Sequence, residues 1–201
     1  MISLQEHLKI RAIDILDERI ERKIMPLGES LPDQVVTTFS GKKYSILDLT
    51  KDKPLLLCFM RASWCPYCRA QVAMLDGMAS AFKAIGCEIA VISRETAEES
   101  TFSSTNLILI SDTTNALGRK LGMTYYAMEE MVRIYGQLGI EGAVEGYWDT
   151  SELNVPATYI VGQGAAQILF KHAKRDYTQR ATGSAIIREL TRINQVAFGG
   201  D

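Results

Sequence analysis

What the 201-residue sequence has little of narrows its function first. An excess of one charge is missing: 22 Lys and Arg stand against 24 Asp and Glu, a formal net charge of −2. Without a basic surplus nothing drives the chain electrostatically toward nucleic acid. Long apolar runs are missing too. The longest, Pro54 to Met60, falls far short of the roughly 20 residues of a membrane-spanning helix, so no membrane partner is expected. The first residues, MISLQEHLKIRAIDILDER, break their apolar positions with charges and show no signal-peptide core, which points to the cytoplasm. Histidine is scarce, with only His7 and His172 present. There is no G-x-G-x-x-G and no phosphate-binding G-x-x-x-x-G-K, so no nucleotide, flavin or other cofactor is expected. Internal repeats and low-complexity tracts are absent.

What is there describes one soluble α/β domain. Apolar residues make up 47% and charged residues 23%, ample for a core. Leu4, Leu8, Ala12, Leu16, Ile20 and Ile24 recur every fourth residue, with Ile13 and Ile15 widening the stripe. That spacing predicts one helix of about six turns, stopped by Met25-Pro26. Residues 1–26 therefore form an amphipathic extension before a domain over 27–201. A linker, Leu27 to Asp33, leads to a strand over Gln34–Phe39, a turn at Ser40-Gly41 and an answering strand over Lys43–Ile46.

The apolar run 54–60 has strand length and suits a strand buried on both faces. Val72, Leu75, Met78, Phe82 and Ile85 mark a helix, despite Gly77, and Cys87–Ile92 is again a strand. This βαβ order predicts two parallel strands with a right-handed crossover. Further along, Leu107–Ile110 reads as a strand and Asn115–Leu121 as a helix. Ala157–Val161 and Gln167–Phe170 form a hairpin around Gly162-Gln163-Gly164, and Ile186, Leu190, Ile193 and Ala197 form a closing helix. The stretch 122–154, with Gly at 136, 139, 142 and 146, is an insertion too thin in apolar residues for its own core. Met128, Met131, Tyr135 and Leu138 line one helix within it.

The chemistry sits in Trp64-Cys65-Pro66-Tyr67-Cys68, a C-x-x-C between a buried strand and a helix. Residues three apart on a first helical turn share a face, so the two sulfurs can meet. Unpaired N–H groups and the positive end of the helix dipole stabilise a thiolate there. Such thiols ionise well below the ordinary value of about 8.5. Pro66 suits the first turn, where its missing N–H has no partner to lose. A zinc site needs two more ligands, and no second C-x-x-C or suitably spaced histidine supplies them, so no metal is expected. Redox chemistry outweighs both a metal site and an inert pair. Cys58 and Cys87, inside predicted strands, read as buried hydrophobes.

The chain resembles the peroxiredoxin-like branch of the alkyl hydroperoxide reductase/thiol-specific antioxidant family, within the thioredoxin-fold superfamily. The residues that carry the resemblance are Leu31-Pro-Asp33, Phe59-Met-Arg-Ala-Ser-Trp-Cys-Pro-Tyr-Cys68 and Val91-Ile-Ser93. Leu109-Ile-Ser-Asp112, Val155-Pro-Ala-Thr158 and Asp176-Tyr-Thr-Gln-Arg180 complete the set. The resemblance implies a thioredoxin-like fold with a central mixed sheet flanked by helices, and a cis bond at Pro156 beside the cysteines. It also implies an antioxidant oxidoreductase that reduces peroxides through a Cys65–Cys68 dithiol/disulfide cycle, regenerated by a thioredoxin-, glutaredoxin- or glutathione-type reductant. Arg61, Ser63, Trp64, Pro66, Val155 and Pro156 are the implied support of the two catalytic cysteines.

One departure bears on mechanism. Peroxiredoxins carry Thr or Ser three residues before the attacking cysteine, and Cys65 holds that slot. In the peroxiredoxin alignment Cys68 attacks and Cys65 resolves; in thioredoxin logic the roles swap. The first cysteine of a C-x-x-C usually lies more open, which favours Cys65. The peroxide-polarising arginine has no evident counterpart, and Arg61 is nearest in sequence. Two other functions fit the same pair: thiol–disulfide exchange on protein or small disulfides, and a redox-sensing module with little turnover. The N-terminal helix also invites a homodimer.

Overall fold

The computed structural model describes residues 3–14, 19–139 and 152–198. A seven-stranded mixed sheet runs through it, built from β1 (Val35–Thr38), β2 (Lys43–Ser45), β3 (Leu55–Phe59), β4 (Glu88–Ser93), β5 (Ile108–Ser111), β8 (Ala157–Val161) and β9 (Ile168–Ala173). The strand order is β2-β1-β5-β4-β3-β8-β9. As the βαβ pattern predicts, β3 runs parallel to β4, and β4 to β5. The β8–β9 hairpin is antiparallel, with Val161 opposite Ile168. Every residue of β3 is buried, because both faces of the sheet are covered.

The alternation of side chains sorts the core into two layers. Leu55, Leu57, Phe59, Ala90, Ile92, Tyr159 and Val161 point to one face, covered by Ile20 of α2 (Ile20–Lys23), by Ile24 just after it and by Leu117 of α5 (Ala116–Lys120). Leu56, Cys58, Val91 and Ile160 point to the other. There they meet Cys68, Val72 and Leu75 of α3 (Pro66–Gly77), Phe82 of α4 (Ala79–Ala84), and Ile186 and Leu190 of α7 (Gly183–Phe198). Gly77 and Met78 divide the helix expected over 72–85 into α3 and α4.

The N-terminal stripe does not build one long helix. It gives α1 (Leu4–Asp14) and, after a turn at Arg19, the short α2; Ile15 and Leu16 lie outside the described residues. The reason is that the stripe serves two destinations. Ile20 and Ile24 go under the sheet, whereas Ala12 packs with Met131 and Tyr135 in a third cluster. Those tyrosine and methionine partners belong to α6 (Glu129–Gln137), the helix expected inside 122–154. It is flanked by β6 (Thr124–Tyr126) and β7 (Glu152–Asn154), which pair antiparallel as a separate ribbon. Gly142 and Gly146 lie outside the described residues. On its inner side α1 meets α6, with Arg11 bridging to Glu130 at 3.2 Å, while Leu4 and Ile10 stay exposed.

Candidate active site

The loop after β3 carries the C-x-x-C to the carboxyl ends of the parallel strands, the usual place for sites in α/β sheets. Cys65 is the N-cap of α3 with extended backbone, Pro66 is the first helical residue and is exposed, and Cys68 lies one turn in. The Cys65 carbonyl accepts from the N–H groups of Cys68 and Arg69, both at 3.0 Å. Neither thiol is open: Cys65 is 1% exposed and Cys68 is 0%. Openness does not separate the two as the first-cysteine rule expects.

Electrostatics does separate them. Cys68 Sγ accepts from Arg180 Nη2 at 3.3 Å and from the Arg61 N–H at 3.4 Å. Burial alone pushes the Cys68 thiol up. A hydrogen bond from Cys65 and the charges of Arg180 and Arg61 outweigh that and hold it well below the ordinary range. Cys65 is pushed well above it, first by donating its proton to Cys68 and then by burial. The two thiols titrate as a coupled pair, and the donors and charges around Cys68 favour the thiolate there.

Arg61, the arginine singled out by position in the sequence, is no solvated loop residue. It is 1% exposed, and its guanidinium lies between the rings of Tyr177 at 4.4 Å, Tyr135 at 4.7 Å and Trp64 at 5.0 Å. None of its side-chain nitrogens has a hydrogen-bond partner. Aromatic faces supply what acceptors do not, about 2 kcal/mol or more for a desolvated contact. The rings brace one another: Tyr135 meets Tyr177 edge-on at 6.0 Å, and Trp64 is tilted on Tyr135 at 6.2 Å.

Ser63 anchors the loop. Its N–H and hydroxyl donate to the Glu95 carboxylate at 2.8 and 2.6 Å, and Ser93 and Ser100 hydroxyls donate to the same group at 2.8 and 3.3 Å. Glu95 is 4% exposed, so the loop after β3 is tied to the end of β4 through one buried carboxylate. Arg69 Nη1 closes the other side by donating to the carbonyls of Ser63 and Trp64 at 3.0 and 2.9 Å.

Val155 and Pro156 correct an expectation. Every peptide bond among the described residues is trans, that of Pro156 included, against the cis form implied by the resemblance. The local path explains it. The Val155 N–H donates to the Met123 carbonyl at 2.8 Å, and Ala157 already pairs with Phe59, so both neighbours of the proline are fixed. The register carries Pro156 to the end of β3, but Val155 packs on the sheet face away from the cysteines. Of the expected support residues, Arg61, Ser63, Trp64 and Pro66 are gathered at the pair and Val155 is not.

Sequence reasoning assigned no role to Arg180, Tyr177, Tyr135 or Glu95. The Asp176–Arg180 motif was a signal for the first two. Its loop is set by Asp176, whose carboxylate accepts from the Thr178 N–H at 2.9 Å, and by Gln71 of α3, which donates to the Ala181 carbonyl at 3.2 Å. The other cysteines fit the reading of core thiols. Burial pushes both Cys58 and Cys87 up to about 12. Among the described residues, no group of three or more His, Cys, Asp or Glu is placed to hold a metal ion, and no helix is long and apolar enough to cross a membrane.

A lowered cysteine thiolate, a proton-donating neighbour three residues away and a pinned arginine define a thiol-based redox enzyme of thioredoxin-like architecture. The model of the AhpC/TSA family matches residues 27–165, more than half of the chain. The protein belongs to that family, and its activity is of that class: thiol-dependent reduction of peroxides. Solved structures agree on the fold. A cysteine-to-serine variant of peroxiredoxin 6 from Arenicola marina superposes with a TM-score of 0.68 at 17% identity, over 87% of this chain and 76% of that one. Reduced Prx3 from Vibrio vulnificus in complex with hydrogen peroxide gives 0.65 at 13%, over 85% and 99%. The yeast mitochondrial 1-Cys peroxiredoxin, whose thiol is resolved via glutathione/thioredoxin systems, gives 0.64 at 14%, over 88% and 80%. Among curated proteins none matches the sequence.

Proposed function

We propose that Cys68 is the peroxide-attacking thiolate and Cys65 the resolving thiol. The observation that carries this is the pair of donors, Arg180 Nη2 and the Arg61 N–H, on Cys68 Sγ. The thiolate attacks the terminal peroxide oxygen, the O–O bond breaks, and the alkoxide leaves as an alcohol after taking a proton. Arg180, already at the sulfur, faces the charge that builds on the departing oxygen. Cys65 then attacks the Cys68 sulfenic acid, releasing water and closing the Cys65–Cys68 disulfide. An external thiol reductant, of the glutathione or thioredoxin kind by analogy with the yeast relative, returns both thiols. This cycle suits the cytoplasm, where such reductants keep thiols reduced.

The test is stopped-flow oxidation of the reduced protein by one equivalent of hydrogen peroxide, followed by Trp64 fluorescence, in wild type, Cys65→Ser and Cys68→Ser. Cys65→Ser is expected to react at near wild-type rate and stop with one added oxygen on Cys68, whereas Cys68→Ser loses the fast step. The reverse pattern overturns the assignment. The intact C-x-x-C at the start of α3 favours a second reading, thiol–disulfide exchange. Oxidation as slow as that of an ordinary thiol in wild type would select it. Turnover with a reductant present separates either enzyme from a one-shot sensor.

A further inference from the structure

A cavity of about 300 Å³ opens where α1 leans over the start of α3. Cys65, Arg61, Tyr67 and Tyr177 line it from the domain, and Lys9 and Glu6 from α1. Cys68 does not line it. Whatever occupies this space therefore meets the sulfur of Cys65 and not the peroxide-attacking sulfur behind it.

The charges of the lining are unequal in what they can offer a ligand. Arg61 is a buried cation with no hydrogen-bond acceptor on any side-chain nitrogen. Lys9 is held over the ring of Tyr67 at 4.9 Å from its centroid. Glu6 is turned toward Ser3, accepting from its N–H and hydroxyl at 3.0 and 2.9 Å. Lys9, which Glu6 offsets only in part, thus faces the space, and the Arg61 charge lies behind it among its rings. In the disulfide form Cys68 no longer offers Arg61 a negative charge, and a buried cation that little water screens then attracts an anion toward the cavity floor.

We propose that this cavity binds the reductant as a small thiol carrying a carboxylate, which Lys9 holds and the charge of Arg61 behind the wall favours while its sulfur attacks Cys65. The inference rests on the cycle proposed above and names the reductant class for it. In the step, the ligand's thiolate forms a bond to Cys65 Sγ and the Cys65–Cys68 bond breaks. The electron pair leaves on Cys68, the better leaving group, whose thiolate Arg180 stabilises through its hydrogen bond and charge. A second thiol molecule attacks the mixed disulfide on Cys65. The small disulfide is released, Cys65 regains a proton, and two thiols have been oxidised for one protein disulfide reduced.

The test starts from the protein disulfide made with diamide, so that no peroxide step enters. Reduction is timed with 3-mercaptopropionate, 2-mercaptoethanol and cysteamine, each rate divided by its thiolate concentration. The anionic thiol is expected to lead the neutral one by about tenfold, to saturate with concentration, and to leave cysteamine last. Lys9→Gln, on a half-exposed helix position, narrows that lead, and Arg61→Met removes it. Equal rates for the three thiols, or a lead that neither substitution alters, would overturn the proposal. Slow oxidation of the reduced protein by peroxide would instead defeat the peroxidase cycle, and it leaves these three ratios readable on their own.

Discussion

Arg180 Nη2 donates to Cys68 Sγ at 3.3 Å across 112 positions of sequence. This contact joins the loop before α7 to the first turn of α3 and favours the negative charge on the second sulfur of the C-x-x-C. With the hydrogen bond from Cys65, it offsets the burial that alone would push the Cys68 thiol up.

Arg180→Gln keeps a donor and removes the charge. The expected result is a peroxide reaction about ten to a hundred times slower near pH 7, the equivalent of one charge-assisted hydrogen bond of about 1.5–3 kcal/mol. Stopped-flow rates and the ultraviolet titration of the thiolate check it. An unchanged thiolate titration would remove Arg180 from the role.

The pH dependence follows from the lowered Cys68. Its contribution to stability is fully present above the ordinary thiol pKa of about 8.5 and is lost as pH falls through its own lower value in the fold. Urea unfolding of the reduced protein, compared with Cys68→Ser at about pH 8 and about pH 6, is expected to show the wild-type advantage shrinking toward the lower pH. Cys58, pushed up to about 12, acts in the other sense: its stabilisation is full below about 8.5 and is lost as pH rises toward about 12.

Glu95→Ala removes the acceptor shared by Ser63, Ser93 and Ser100. Buried donors left without a partner cost about 1–3 kcal/mol each where water cannot replace the bond. A loss of about 3 kcal/mol in denaturant unfolding is expected, together with slower peroxide reduction, because the loop holding Arg61 and Cys65 is released from β4. Glu95→Gln, which keeps an acceptor, is expected to fall between.

Removing residues 1–14 takes α1 off the cavity mouth. Alkylation of Cys65 by a bulky maleimide is expected to accelerate by about tenfold or more, since accessibility limits a buried thiol. Mass analysis of the labelled peptide checks it. No acceleration would mean that Tyr67 and α6, and not α1, bury Cys65.

Legibility in the sequence followed the range of the forces involved. The strands β3, β4 and β8 could be read because continuous apolar runs mean burial on both faces. The break between α1 and α2 could not, since one stripe spacing serves two different packing surfaces. Arg61 was visible as a charge near the motif. Its burial among Trp64, Tyr135 and Tyr177 was not, because two of those rings come from α6 and from the loop before α7. The trans bond at Pro156 depended on where β7 delivers the chain, which no local pattern encodes.

The sequence by itself determined a βαβ-based sheet, a C-x-x-C at a helix start and hence thiol chemistry, since each is set by residues close together in the chain. Only the tertiary structure decided which thiol is charged and what surrounds Arg61. Those properties come from fields and contacts between groups far apart in sequence, and a charge acts on a sulfur only when folding has brought the two together and expelled the water between them.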